Sequence, residues 1–308
     1  MVNITFWGVR GSTPCPCEAN KRYGGNTACV SVEAPGQDPI LFDLGTGLRF
    51  FGESFGTDHP FRGLALVTHL HWDHVQGLPF FVPINRPGAE LTICGRHDDG
   101  TLQQAFEDFM RPPYFPVRPA DLCGQINYQD AAGIDFDWGR AKVSVRDVPH
   151  TGATNGYRVE LDGVVIAYVS DHQQPTDGGG IAPSVLELCA GADLVIHDAQ
   201  YDGHEFAAKS DWGHCTVEYA VQVAAAAGAK RVALFHHDPS HDDAIVDRLL
   251  VEARACAAGT SVVEVIAAAE QTTVALSGCA DAASHVAGSL ASAAVGPAAA
   301  TVPFSATG

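Results

Sequence analysis

Short apolar runs recur along the whole chain, bounded by turns rich in glycine and proline. Residues 2–9 read as a strand, which ends in the turn Gly8-Val9-Arg10-Gly11-Ser12-Thr13-Pro14. Residues 28–32 and 40–44 predict two more strands, separated by the hairpin turn Pro35-Gly36-Gln37-Asp38. A helix is expected near residues 48–55, then strands at 64–67 and 91–94 and a helix over 100–110. Strands follow at 142–148 and across 156–169, the latter folded back at Leu161-Asp162-Gly163-Val164. Strands at 193–196 and 231–235 then alternate with helices that start near Pro183 and cover 215–227 and 241–257. Strands near 262–266 and 272–276 complete the pattern. Four prolines exclude regular structure from residues 111–119. This aromatic stretch with two arginines is either a connecting loop or a lid facing a substrate.

Composition divides the chain in two. From residue 279 Ala, Ser and Gly dominate, with almost no charge and few large apolar groups. Such a segment cannot bury enough surface to offset its ordering entropy, so 279–308 is expected to be a disordered tail behind one domain over 1–278. Hydrophobic residues make up 46%, enough for a sizeable core, yet no run approaches the roughly 18 apolar residues of a membrane span. The N-terminus enters a strand directly, without a basic region followed by an apolar one, and the nine cysteines are irregularly spaced. Reduced thiols and a cytoplasmic location are the expectation. With 36 acidic and 18 basic residues the net charge is −18, and no Lys/Arg block exists. This disfavours a long nucleic acid as partner, because phosphate neutralisation supplies most non-specific affinity. A small phosphorylated molecule remains compatible where metal ions supply local positive charge.

The densest chemistry lies in Thr68-His69-Leu70-His71-Trp72-Asp73-His74, with three imidazoles and one carboxylate within six residues. It follows the buried strand 64–67, and on an extended loop His69, His71 and Asp73 would face one side as metal ligands. Further candidates recur at later strand ends: His150, Asp171, the pair His197-Asp198 and the pair His236-His237. One such residue alone is more often a cap. Their recurrence beside the first cluster points to a shared metal-binding rim.

With these motifs in this order, the chain resembles the metallo-β-lactamase superfamily, across roughly residues 2–277. The resemblance implies a four-layer αββα sandwich of the α/β class, with two metal ions in the cleft between the sheets. Carried over by motif, His69, His71 and His150 would hold the first ion, and Asp73, His74 and His236 the second, with Asp171 bridging. His237 is the alternative to His236. Imidazole-rich donors favour zinc, and manganese or iron is compatible. Ile196-His197-Asp198-Ala199-Gln200-Tyr201 and Trp212-Gly213-His214-Cys215-Thr216 are similar to segments of the ribonuclease Z and phosphodiesterase branch. That similarity makes His214 a general acid, Asp198 its partner, and His197 a supporting histidine.

The resemblance implies a hydrolase that attacks with a metal-bridging hydroxide, Asp73, His214 and Asp198 being its catalytic residues, and a phosphodiesterase on small phosphodiesters such as cyclic nucleotides. Alternatives of the same fold are an RNA-processing nuclease and a lactonase; outside catalysis, a metal- or ligand-binding sensor. The chain lacks the long basic arm with which ribonuclease Z grips transfer RNA, and Asp171 stands where β-lactamases carry cysteine. The second motif position is His71, whereas diiron redox members carry glutamate there. Asp43 matches an aspartate that buttresses the metal loop, and Arg10 would either reach an anionic substrate or serve packing. His172, His204 and His241 are expected to be surface polar groups. The partner is expected to be a small molecule rather than a membrane, and a homodimer is left open.

Overall fold

The first half of the chain supplies β1 (Val2–Gly8), β2 (Cys29–Glu33), β3 (Ile40–Phe42), α1 (Leu48–Ser54), β4 (Arg62–Leu66), α2 (Trp72–Val75), β5 (Glu90–Gly95), α3 (Leu102–Phe109) and β6 (Gln125–Asp130). There follow β7 (Asp135–Trp138), β8 (Ala141–Asp147), β9 (Asn155–Leu161), β10 (Val164–Val169), α4 (Pro183–Cys189), β11 (Leu194–Asp198) and α5 (Gly203–Ala208). The last elements are α6 (Val217–Ala226), β12 (Arg231–Phe235), α7 (Asp243–Ala257), β13 (Glu264–Ala267) and β14 (Thr272–Leu276). This computed structural model describes residues 1–278, and the tail expected over 279–308 lies outside the described residues.

The strands form two seven-stranded sheets, ordered β14-β1-β2-β3-β4-β5-β6 and β13-β12-β11-β10-β9-β8-β7. Each sheet is built alike. Antiparallel pairs run from β14 to β3 and from β7 to β10, and parallel pairs run from β3 to β6 and from β10 to β13. The parallel strands carry helices in their crossovers, so their carboxyl ends gather on one rim, where α/β folds place their sites.

The apolar runs explain the layers. Ile4, Phe6, Phe42 and Leu64 of one sheet meet Tyr157, Ile166 and Phe235 of the other in the central core. Phe42 stacks on Tyr168 with centroids 4.7 Å apart. The outer faces bury Phe51, Phe61 and Phe106 under α1 and α3, and Leu188, Val221 and Leu249 under α4, α6 and α7. Each large apolar side chain removed from water in this way contributes about 1.5–3 kcal/mol. The result is the expected αββα sandwich.

Besides the single turn α2, three elements were not legible in advance. Strand β6 reads Gln-Ile-Asn-Tyr-Gln-Asp and is buried only in part along its length, as edge strands are. Strand β7 lies at the edge of the other sheet with the same partial exposure. Helix α5 buries no residue and is held by a capping box between Asp202 and Glu205, so it has no apolar stripe to betray it.

Candidate metal centre

Three site residues close the strands that deliver them. Asp43, Asp171 and His236 lie within two residues of the ends of β3, β10 and β12, with φ of 57°, 56° and 61°. This left-handed conformation is strained for most side chains and persists where the surroundings over-determine it. Here it turns each chain sharply off its sheet and aims the side chain at the rim.

The His-rich stretch does not stay extended as expected. His71 is extended and caps α2, while Asp73 and His74 already lie in its helical turn. The turn separates Asp73 from His69 and His71. It places Asp73 with His74 and His236, and these three bring ligand atoms within 4.8 Å of one another. His69, His71, His150 and Asp171 form a second group within the same limit.

Asp171 faces both groups. Its Oδ2 lies 3.6 Å from His69 Nε2 and 3.7 Å from His150 Nε2. Its Oδ1 lies 3.2 Å from His74 Nε2 and 3.2 Å from His236 Nε2. Burial opposes ionisation of Asp171, but His236, His74 and His69 hold it well below the usual carboxylate range. Asp73 is likewise kept ionised against its burial by His74 and His236, and the Ser12 amide donates to its Oδ2 at 2.7 Å.

A second layer of hydrogen bonds sets the imidazoles. His74 Nδ1 donates to Asp43 Oδ2 at 2.8 Å, His150 Nδ1 to the Gly213 carbonyl at 2.8 Å, and His236 Nδ1 to Gln200 Oε1 at 2.9 Å. Each Nδ1 is thereby tied outward, which turns Nε2 to the cluster as the atom that would bind a metal ion once any proton there is displaced. Asp43 is fully buried and also accepts from the Thr68 amide, the Thr68 hydroxyl and Tyr168 Oη. Two glycines permit the close approach of these rings. A Cβ on Gly11 would lie 2.4 Å from His236 Cε1, and one on Gly213 would lie 2.3 Å from His150 Nδ1.

The donor set fits metal ions. Nε2 of His74 and of His150 are buried without a hydrogen-bond partner. His69 Nε2 and His71 Nδ1 lie 2.7 Å apart, where only one proton can stand between them. Burial, then the neighbouring His74, drives His69 well below the ordinary histidine range and keeps it neutral. Against its burial, Asp73 and Asp171 raise His74 well above the ordinary histidine range, so a proton balances the carboxylates there without metal. Imidazole nitrogens and ionised carboxylates converging in this way are the donor set that a pair of divalent cations requires, the cations replacing that proton.

Next to these groups His214 Nδ1 donates to Asp198 Oδ2 at 2.7 Å. Burial works against charge on His214, but Asp198 outweighs it and pushes the imidazole up to about 9. Asp198 is itself pinned by the His172 and Gln200 amides. The ring of His214 stacks on His236 with centroids 5.0 Å apart. His214, His71, Asp73, His150, Asp171 and His236 all line one open cavity of about 510 Å³.

The surroundings decide the readings left open and correct two others. His237 faces away from the cluster, donating from Nε2 to the Ala268 carbonyl at 3.0 Å. Arg10 is fully buried and donates to the carbonyls of Gly24, Asp238 and His241, so it staples the first loop to the one after β12, the packing role, and does not line the metal cavity. His172 and His241 are buried, not surface groups: His172 pairs with His197 at 3.1 Å and His241 with Glu205 at 2.7 Å. His204 is exposed, as expected. Gln200, Tyr168 and Ser12 escaped the sequence reading because nothing local marks a residue whose partner lies dozens of positions away.

Comparison with known proteins places this geometry. The β-lactamase superfamily domain matches residues 40–237. The ribonuclease Z of Haloarcula marismortui is 27% identical over 306 residues, covering 82% of this chain and 91% of that protein. The solved short form of human tRNase Z superposes with a TM-score of 0.62 at 21% identity, covering 89% of this chain and 98% of that one. A diphosphatase of the PhnP family superposes with a TM-score of 0.66 at 18% identity, covering 91% and 99%. Among the described residues no helix is long and apolar enough to cross a membrane. With nearly two thirds of the chain inside the family match and the His/Asp groups at the sandwich rim, the chain belongs to the metallo-β-lactamase superfamily.

Proposed function

We propose that this metal-dependent hydrolase cleaves small phosphodiesters, cyclic nucleotides among them. The observation that carries the reading is His214, held from behind by Asp198 and lining the same cavity as members of both ligand groups. His69, His71 and His150 would hold one cation, and Asp73, His74 and His236 the other, with one oxygen of Asp171 toward each. Zinc suits these donors best, and manganese or iron is compatible. When bound, the two ions supply positive charge for the phosphoryl oxygens and acidify the attacking water.

The chain's own groups do the rest. Asp198 holds the Nδ1 proton of His214, so the remaining proton of the imidazolium sits on Nε2. That proton can pass to the departing alkoxide, which spares the reaction a strongly basic leaving group. Gln200 and Asp43 orient His236 and His74 from outside.

An RNA-processing nuclease is the second reading, favoured by relatives named ribonuclease Z. The cavity argues for the smaller substrate, since no Lys or Arg is among its lining residues and the net charge is −18. A panel of bis-p-nitrophenyl phosphate, cyclic nucleotides, a precursor transfer RNA and a lactone, run with metal analysis on one sample, tests the proposal. Lactone turnover without phosphodiester turnover would overturn it.

A further inference from the structure

A second cavity of about 800 Å³ adjoins the first and shares Leu70 and Trp72 with it as a common wall. Its rings come from three separate places: Trp72 at the start of α2, Phe80 in the turn after α2, and Phe109, Tyr114 and Phe115 at the end of α3 and in the proline-rich loop. Trp72 is 75% exposed, Phe80 58% and Tyr114 79%. Trp212, at 61%, lines the metal cavity beside them. Among the described residues these four are the only large aromatic side chains classed as exposed. Chance would scatter them over the surface. A contiguous exposed aromatic wall is costly in water and marks a binding surface.

The chemistry of the wall narrows what it takes. Phe115 and Phe109 are anchored on the core, and Phe80 meets Phe115 edge-on at 5.8 Å. Trp72 and Tyr114 have no ring partner among the described residues and leave flat faces open. No Lys or Arg lines the cavity, and Asp108 on its rim is already paired with Arg111 at 2.9 Å. A phosphate would find nothing here. Gln76 and His97 add hydrogen-bonding groups at the edge of a flat apolar slot. Planar rings with a polar edge suit a heteroaromatic base better than a flexible acyl chain.

We infer that this groove is a nucleobase subsite, in which Tyr114, Trp72 and Phe80 stack the base of a nucleotide diester while its phosphate lies in the metal cavity. The inference rests on the phosphodiester reading of that cavity and names its substrate class. It also gives the loop over 111–119 a role as one wall of the binding site.

Calorimetry on the metal-loaded protein tests it with adenosine 5′-monophosphate, ribose 5-phosphate and an N-acyl homoserine lactone as probes. The nucleotide is expected to bind about ten-fold more tightly than ribose 5-phosphate. Tyr114→Ala and Phe80→Ala should erase that preference and leave ribose 5-phosphate binding unchanged, while Tyr114→Phe keeps it. With a cyclic nucleotide as substrate, Tyr114→Ala should raise KM by about the same factor at constant kcat. Equal loss for both phosphate probes, no preference for the nucleotide, or tighter binding of the acyl lactone overturns the subsite. If the base preference follows the rings but no phosphodiester turns over, the subsite stands and the catalytic reading falls.

Discussion

Asp198 and His214 form a closed couple: Oδ2 accepts the Nδ1 proton at 2.7 Å, and both side chains are buried beside the two ligand groups. Their arrangement makes a specific claim about leaving groups. His214→Ala is expected to cost about 10²–10⁴-fold with alkoxide leaving groups and little with p-nitrophenolate, which needs no proton. Because the protonated form is the active one, the alkoxide rate holds through neutral pH. It falls as pH rises through the His214 value of about 9, or lower where cations offset Asp171 and Asp73. Asp198→Asn should move that fall to lower pH. Equal loss for both leaving groups, or loss of metal from His214→Ala, would assign His214 to binding instead.

The two oxygens of Asp171 separate the roles of its neighbours. Removing the carboxylate with Asp171→Ala should lower the metal content below one ion per chain. His236→Ala, which takes a ligand from one group only, should leave about one ion. His237→Ala should keep both, since its ring donates to the Ala268 carbonyl and turns from the cluster. Metal analysis of the three variants decides between the adjacent histidines directly.

Asp43 is buried and accepts hydrogen bonds from Thr68, His74 and Tyr168. Asp43→Ala strands these donors and frees the His74 ring. We expect a loss of about 3 kcal/mol in denaturant unfolding and a 10–100-fold weaker metal affinity. Asp43→Asn keeps the shape, so a milder stability loss with the same weakening of metal affinity is the expected pattern.

Gly11 tests the packing of the site without replacing any of the proposed metal ligands. A methyl there would meet His236 Cε1 at 2.4 Å. Gly11→Ala should fold, displace the His236 ring and reduce turnover at least ten-fold, with circular dichroism unchanged. Full activity would show that the loop yields freely.

Much of this was legible in the chain itself. His69, His150, Asp171 and His236 stand just past strand ends, which are readable from apolar runs, and His71 and His74 follow in the dense motif that β4 delivers. The helical turn at Trp72 was not, because four residues are too few to show a period. Nor was the burial of His172, which depends on His197 and Tyr219 packing around it from other elements. The choice of His236 over His237 rests on a left-handed φ of 61° that no composition signals. Strand β6 was missed because it sits at a sheet edge, only partly buried, and its alternation rests on just two apolar residues, Ile126 and Tyr128.

Metal content and turnover measured on one preparation test the central claim most directly. About two divalent ions per chain are expected, with cyclic-nucleotide and bis-p-nitrophenyl phosphate hydrolysis abolished by chelation and restored by adding one divalent metal. Hydrolysis that survives complete removal of metal would contradict the claim. So would a chain carrying both ions that hydrolyses no phosphodiester.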